Sequence, residues 1–370
     1  MSEPRTTYSD AGVDYGTLDA GKRSALSSAL ATSALALARG ARLDDASRGE
    51  PAVVFDFAGR TLAMVLEGLG TKSVIARQVE EQLGLQRFDA VAVDTVAAIV
   101  NDLGCVGALP LVLNAYFSTG ASAWYEAPGR SDALIDGWRR ACEEAGCAWG
   151  GGESPTLPGL VAEDDIELAG CAVGALPEGR RAILGQDLAP GDEIVFVASS
   201  GLHANGASMA RLLAGRQPDG YATPLADGRS LGEALLDPSL IYVSLIEALW
   251  AQDVPVTYLS HVTGHGFLKL MRPRRALGYR ITKLPDVPPV LAWMTERAGM
   301  DAKAAYSTFN MGVGYAVYCK ARSGPAVVAL AESLGHRAHV AGVVEEGPRR
   351  VVVEPVGVTF EGDEMDLGPG

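Results

Sequence analysis

Cysteine is scarce and never set at metal-binding spacing: Cys105, Cys142, Cys147, Cys171 and Cys319 are odd in number and contain no Cys-x-x-Cys pair. That argues against a cysteine zinc module and a disulfide framework, and leaves the five as small core residues. Basic charge is also short. A formal charge of −14 offers no broad positive surface for a nucleic-acid duplex, although a local pocket for one nucleotide is compatible with it. Long apolar runs are missing: the longest, near residues 90–100, is interrupted by Asp94 and is too short to cross a bilayer. The opening Met1-Ser-Glu-Pro-Arg5 lacks the basic start and apolar core of a secretion signal. A cytoplasmic protein with no nucleic-acid or membrane partner is therefore expected. No short-period repeat is visible, which argues against solenoids and propellers.

What the chain does have is glycine, 44 of them, and a hydrophobic content of 48% in 370 residues, enough for two ordinary domains. Apolar alternation over 52–57 and 61–66, joined by Ala58-Gly59-Arg60, predicts a hairpin. A helix is expected near 22–38 and another over 72–83; a strand over 90–93 should end at Asp94, which would cap a helix over 95–105. Asn101 lies seven residues on, two turns along the same face. Strands are predicted over 110–117 and 167–174, with a helix over 131–146 between them. A polar Gly/Pro-containing stretch, 176–190, marks the expected boundary between an N-terminal domain, 1–178, and a C-terminal domain, 179–370. The second half reads as strand 193–198, helix 203–213, helix 239–250, strand 256–259, and a closing unit of strand 312–319, helix 325–334 and strand 338–344.

Chemistry-bearing motifs punctuate this frame. Val65-Leu-Glu-Gly-Leu-Gly-Thr-Lys-Ser73 puts an acidic residue, two glycines and a lysine at the end of an apolar run. Glycine backbone N–H groups and a lysine suit polyphosphate, and a carboxylate suits a hard metal ion. Thr71 separates Gly70 from Lys72, so this is not a P-loop. Asp94, Asn101 and Asp102 add oxygen ligands. Gly150-Gly-Gly-Glu153, followed by Pro155 and Pro158-Gly159, reads as a rigid open loop whose glycines admit close backbone approach. Ser199-Ser-Gly-Leu-His-Ala-Asn-Gly206 falls at a strand-to-helix junction, where free N–H groups favour a phosphate. His261-Val-Thr-Gly-His-Gly-Phe267 reads as a loop and lacks the Glu of a His-Glu-x-x-His zinc helix.

Taken in this order, with Tyr8-Ser-Asp-Ala-Gly-Val-Asp14 before them and Thr308-Phe-Asn-Met-Gly-Val-Gly314 after them, the motifs resemble those of the aminoimidazole ribonucleotide synthetase (phosphoribosylformylglycinamidine cyclo-ligase) family, from about residue 8 to about residue 355. The resemblance implies an α/β fold of two domains: an N-terminal α/β domain whose strands join a second subunit's in a dimeric β-barrel, and a C-terminal ferredoxin-like α/β domain. It implies a homodimer that uses ATP and Mg²⁺ to close the imidazole ring of formylglycinamidine ribonucleotide, a ribonucleotide amidine, giving aminoimidazole ribonucleotide, ADP and phosphate in purine biosynthesis.

On this reading Glu67, Asp94 and Glu153 hold the metal. Gly68, Gly70, Thr71, Lys72, Asn101 and Asp102 bind ATP, and Ser200, Gly201, His203, Asn205 and Thr263 bind substrate. His203, His261 and Lys72 are the catalytic candidates. The chain departs from the family where Glu67 replaces an Asp, Thr156 a Glu and His265 a Gly, and where Ala38-Arg-Gly-Ala-Arg-Leu-Asp-Asp45 stands in place of a glycine-rich segment. A paralogue therefore stays open: another ATP-dependent member of the superfamily, such as a thiamine-monophosphate kinase, or a catalytically silent nucleotide binder. Selenophosphate synthetase needs a reactive residue near the N-terminus, and no Cys precedes Cys105.

Overall fold

The computed structural model describes residue 6, residues 9–12 and residues 15–365. Tyr8, Val13 and Asp14 of the first motif lie outside the described residues. Helices α1 (Tyr15–Leu30) and α2 (Ser33–Leu37) lead to strands β1 (Ala41–Leu43), β2 (Val53–Phe57) and β3 (Arg60–Gly68). There follow α3 (Lys72–Leu83), α4 (Phe88–Gly104), β4 (Leu109–Thr119), α5 (Arg130–Glu144), β5 (Ala148–Glu153) and β6 (Ile166–Ala175). The six strands form one sheet in the order β1-β2-β3-β6-β4-β5.

Alternation dictates the hairpin. Phe57 pairs with Arg60 across a two-residue turn in which Ala58 and Gly59 both have positive φ, as the twist of the flanking strands requires. Helix α3 begins at Lys72 and stops at Gly84, which adopts φ +67.

The predicted strand over 90–93 is instead the opening of α4, and Asp94 sits inside that helix rather than at its cap. The cause is burial on every side. Helix α4 packs against β3, β6, α5, the helix Val243–Ala251 and the strand Val256–His261, so its apolar residues run around the whole circumference and imitate a buried strand.

The glycine segment at 150–152 is another correction. It is strand β5, parallel to β4 at the sheet edge. The close approach that its glycines permit is made by β4 itself: a Cβ on Gly152 would lie 2.0 Å from the Ala115 carbonyl oxygen, and one on Gly150 would lie 2.5 Å from Asn114 Oδ1.

The second sheet begins with β7 (Glu193–Ala198), followed by α6 (Ala207–Gly215), α7 (Leu231–Leu235), α8 (Val243–Ala251), β8 (Val256–His261), β9 (Leu277–Ile281), α9 (Pro289–Arg297) and α10 (Ala302–Thr308). Strand β10 (Val313–Cys319), α11 (Gly324–Ser333), β11 (Ala338–Glu346), β12 (Arg350–Val353) and β13 (Val358–Glu361) complete it, in the order β13-β12-β9-β11-β7-β10-β8. Strands β10 and β11, joined by α11 and straddling β7, make the split β-α-β arrangement of a ferredoxin-like domain. Helix α6 starts at Ala207 and not at His203, because His203 (φ +62) and Gly206 (φ +101) take left-handed turns before it.

One face of the first sheet packs on α4. The other carries Phe57, Met64, Leu66, Leu111, Val112 and Tyr116, all exposed. No helix among the described residues is long and apolar enough to cross a membrane.

Candidate active site

The end of β3, the end of β8 and the C-terminal half of α4 converge on a cavity of about 340 Å³ between the two sheets. From the first domain come Glu50, Glu67, Gly68 and Asp102; from the second, Asn205, His261, Thr263, His265, Lys269 and Arg272.

Asp102 and His261 meet here. The Asp102 Oδ1 atom lies 2.6 Å from His261 Nδ1, and both side chains are largely shielded. Burial opposes the ionised form of Asp102, but the His261 hydrogen bond and the Lys269 and Arg272 charges outweigh it and hold the carboxyl below its ordinary pKa. An ionised carboxylate can only accept, so His261 donates through Nδ1, which leaves Nε2 as the ring nitrogen open to another partner. The backbone N–H of His261 donates to Cys105 Sγ at 3.2 Å, which also fixes the strand end.

Lys269 donates to the Thr263 hydroxyl. Burial lowers its pKa, Asp102 opposes that, and Arg272 adds to the lowering. The Arg272 Nη1 group donates to the Gly49 carbonyl oxygen at 3.1 Å, and Tyr258 donates to Glu50 Oε2 at 2.8 Å. His265 sits at φ +68, the position where the resembled family carries glycine.

Six residues expected at the site from sequence line this cavity: Glu67, Gly68, Asp102, Asn205, His261 and Thr263. Others are placed differently. Lys72 and Asp94 are fully buried and paired with each other, Nζ to Oδ2 at 2.6 Å. The Lys72 ammonium also donates to the His203 carbonyl oxygen at 2.8 Å. The Asp94 Oδ1 atom accepts the Ser239 N–H at 2.8 Å and the Ser239 hydroxyl. Asn101 takes both roles toward the second domain: Nδ2 donates to Leu240 O at 2.8 Å, and Oδ1 accepts Tyr242 N–H at 2.8 Å. Gly70 N–H reaches Glu167 Oε1 at 3.4 Å, and the Thr71 hydroxyl lies 3.0 Å from that of Ser208.

The loop after β7 is closed on itself. Ser200 Oγ donates to Pro238 O at 2.6 Å, and Ser200 N–H donates to His203 Nε2 at 3.2 Å. Asn310, from the Thr-Phe-Asn-Met-Gly motif, donates to Gly201 O at 2.9 Å and to Leu202 O at 3.2 Å. With Nε2 accepting, the His203 proton resides on Nδ1, a buried atom without a hydrogen-bond partner. Burial first, with the Lys72 charge adding to it, holds this imidazole well below its ordinary pKa, so it is neutral.

The three expected metal ligands are not brought together. Glu67 faces Gly170, which faces Ala115, which faces Gly152; Glu153, next to Gly152, is thus three strand spacings from Glu67, roughly 14 Å. Asp94 is already committed to Lys72. Among the described residues no three His, Cys, Asp or Glu side chains form a metal set, so Glu67, Asp94 and Glu153 do not fit one shared Mg²⁺ within this chain.

Sequence reading missed Glu50, Lys269 and Arg272. A signal existed for Lys269, the one charge inside the apolar stretch Phe267-Leu-Lys-Leu-Met271; such a lysine needs a polar destination.

Two family models match the chain: "AIR synthase related protein, N-terminal domain" over residues 49–176 and "AIR synthase related protein, C-terminal domain" over residues 189–354. Among solved structures, the chain is similar to a thiamine-monophosphate kinase from Stenotrophomonas maltophilia, with a TM-score of 0.59 and 21% identity over 81% of this chain and 87% of that one. It is similar to the hydrogenase maturation protein HypE in complex with ATP, with a TM-score of 0.56 and 20% identity over 82% and 85%. It is also similar to AaThiL complexed with AMPPCP and TMP, with a TM-score of 0.57 and 16% identity over 85% and 90%. At these identities the structural likenesses carry the fold alone. The matched domains extend over most of the chain and in the expected order, and the protein belongs to the AIR synthase related family.

Proposed function

We propose that this protein is an ATP-dependent enzyme that moves the γ-phosphoryl group of ATP onto an oxygen of a small polar substrate held in the interdomain cavity. The observation that carries the reading is the Asp102–His261 pair set beside Lys269 and Arg272. Phosphoryl transfer asks a protein for positioning and charge neutralisation more than for covalent chemistry. Lys269 and Arg272 supply positive charge, Gly68 and Gly264 allow backbone approach, and Asn205 and Thr263 offer hydrogen bonds to the substrate. The Nε2 lone pair of His261 accepts a proton or orients the acceptor group. HypE with ATP and AaThiL with AMPPCP and TMP support a nucleotide in this fold.

Lys72, Asp94, Asn101 and the Ser200–His203 turn act in this proposal as the frame of the cleft. Gly70 and Thr71 lie at its phosphate end, with the domains dividing near residue 178. The exposed apolar face of β2, β3 and β4 supports a homodimer, since a face of this kind on a water-soluble sheet calls for a partner surface.

The acceptor is an oxygen of a phosphate or of an amide. In the amide case, transfer makes an iminophosphate, a neighbouring amidine nitrogen attacks that carbon, and phosphate leaves; with formylglycinamidine ribonucleotide the products are aminoimidazole ribonucleotide, ADP and phosphate. The order of motifs favours that substrate, whereas Glu67, Thr156 and His265 favour a related one. ADP release should be measured with ATP plus formylglycinamidine ribonucleotide, and with ATP plus thiamine monophosphate. Release with either, abolished in His261→Ala, is expected, and the acceptor that works distinguishes ring closure from kinase chemistry. Nucleotide binding without release in a broad acceptor screen would replace this reading with a silent binder.

A further inference from the structure

Helix α5 ends on a glycine. Gly146 adopts φ +66, its N–H donates to the Glu143 carbonyl oxygen at 3.1 Å, and the N–H of Cys147 donates to the Cys142 carbonyl oxygen at 3.0 Å. Two such bonds make the Schellman ending of a helix, which brings the side chain after the glycine onto the one five positions earlier. Here both positions are cysteine, and the two thiols are hydrogen-bonded to each other.

The backbone bond sets the reach between them. With carbonyl oxygen and amide nitrogen 3.0 Å apart, the two Cα atoms lie no more than about 7 Å from each other, the outer limit for a disulfide bridge. The returning chain is held as well: Trp149 packs on Trp138, one helical turn before Cys142, with ring centroids 6.1 Å apart. The sulfurs therefore meet across a turn whose two arms are already fixed.

Their surroundings differ. Cys142 is 3% exposed and Cys147 is half-buried, so a small oxidant reaches Cys147 first. The hydrogen bond from Cys142 favours the Cys147 thiolate and, against burial, holds that pKa below its ordinary value. The same contact, burial and the Cys147 and Glu143 charges push Cys142 up. An accessible thiolate beside a shielded thiol is the pairing of an attacking with a resolving cysteine. Burial pushes Cys105 and Cys319 up to about 12 and raises Cys171 too. Helix α5 packs on α4, on the covered face of the first sheet, and neither Cys142 nor Cys147 lines the interdomain cavity.

We propose that Cys142 and Cys147 form a site of reversible oxidation, at which a hydroperoxide converts the two thiols into a disulfide. The Cys147 thiolate attacks a peroxide oxygen and breaks the O–O bond; it becomes a sulfenic acid, and with hydrogen peroxide the other oxygen leaves as water after taking up the thiol proton. The Cys142 sulfur then attacks the sulfenic sulfur, the S–O bond breaks, and a second water leaves with the Cys142 proton. The two thiols lose two electrons, which the peroxide takes up. A dithiol reductant restores the pair by exchange.

The test is graded oxidation of the reduced full chain with hydrogen peroxide, then alkylation of the remaining thiols after unfolding and peptide mass spectrometry. We expect a Cys142–Cys147 cross-link, read as a two-hydrogen mass loss and reversed by dithiothreitol, while free thiols fall from five to three and Cys105, Cys171 and Cys319 are alkylated. Cys147→Ser should slow oxidation of Cys142 by about tenfold or more, and Cys142→Ala should let Cys147 pass on to the sulfinic acid. Should Cys142→Ala unfold, the mass spectrum of the unaltered chain decides alone. Sulfinic Cys147 beside an intact Cys142 thiol in that chain, a cross-link from Cys147 to Cys171 or to a second chain, or oxidation of Cys105 and Cys319 before this pair would overturn the proposal.

Discussion

Lys72 and Asp94, both fully buried, meet at 2.6 Å at the point where the first domain grips the second. The lysine reaches the His203 carbonyl and the aspartate takes the Ser239 N–H. Removing one partner strands the other charge away from water. Lys72→Met should therefore destabilise the protein by roughly 3–5 kcal/mol, read as a lowered urea midpoint. A midpoint within experimental error of the unaltered protein's would mean that the pair contributes nothing to the frame.

The Asp102–His261 contact leads to a kinetic expectation. Asp102→Asn preserves shape but no longer dictates which His261 nitrogen holds the proton. ATP turnover should fall about 10²–10⁴-fold in kcat, with the KM for ATP changing by less than about threefold. An unchanged kcat would remove His261 from the chemistry.

His203 gives a pH dependence. Its folded pKa lies well below 6.5, so below about pH 6.5 the unfolded chain binds a proton that the folded chain refuses. Stability from this group is intact above that pH and falls as pH drops through it, by up to about 1.4 kcal/mol per pH unit. His203→Asn tolerates the positive φ and removes the titration. Between pH 7.5 and 5.5 the variant should lose less stability in urea than the parent; parallel losses would show that His203 is not the responsible group.

At His265 two backbone effects oppose each other. Glycine relieves the left-handed conformation, worth about 1–2 kcal/mol, and adds unfolded-state freedom, costing about 0.5–1 kcal/mol. His265→Gly should therefore shift stability by no more than about 1.5 kcal/mol while enlarging the cavity. We expect kcat/KM for the acceptor to change, with ATP affinity held within about threefold, under ~0.7 kcal/mol. Identical kinetics would mean that His265 does not select the substrate.

Leu66, 70% exposed on the outer face of β3, tests the dimer. Leu66→Lys should convert a dimer to a monomer by light scattering at micromolar concentration. A parent protein that is already monomeric would end the proposal.

Much of the frame was legible because it follows from local rules. The β2–β3 hairpin came from alternation and its turn, α3 from its length and the glycine after it, and β7 from a short apolar run. The site was half legible: His261, Asp102, Glu67 and Asn205 stand in motifs that keep their spacing. What failed was anything set by a neighbour distant in sequence. Asp94 looked like a cap because α4 is apolar on all sides; the Gly150–Gly152 segment looked like a loop because only the pressing of β4 against it explains the glycines. Lys72 and Asn101 have the residue types of a phosphate site, and their occupation by the second domain cannot be seen without it.

Asn101, Asp94 and Lys72 together pin the segment from His203 to Tyr242 to the first domain through buried polar contacts. Swinging the domains apart would break these contacts together and leave charged groups dry. The cleft is therefore a fixed gap rather than a jaw. In the proposed function, adjustment to a ligand would fall to its lips, the Gly49–Pro51 and Thr263–His265 turns that line the cavity.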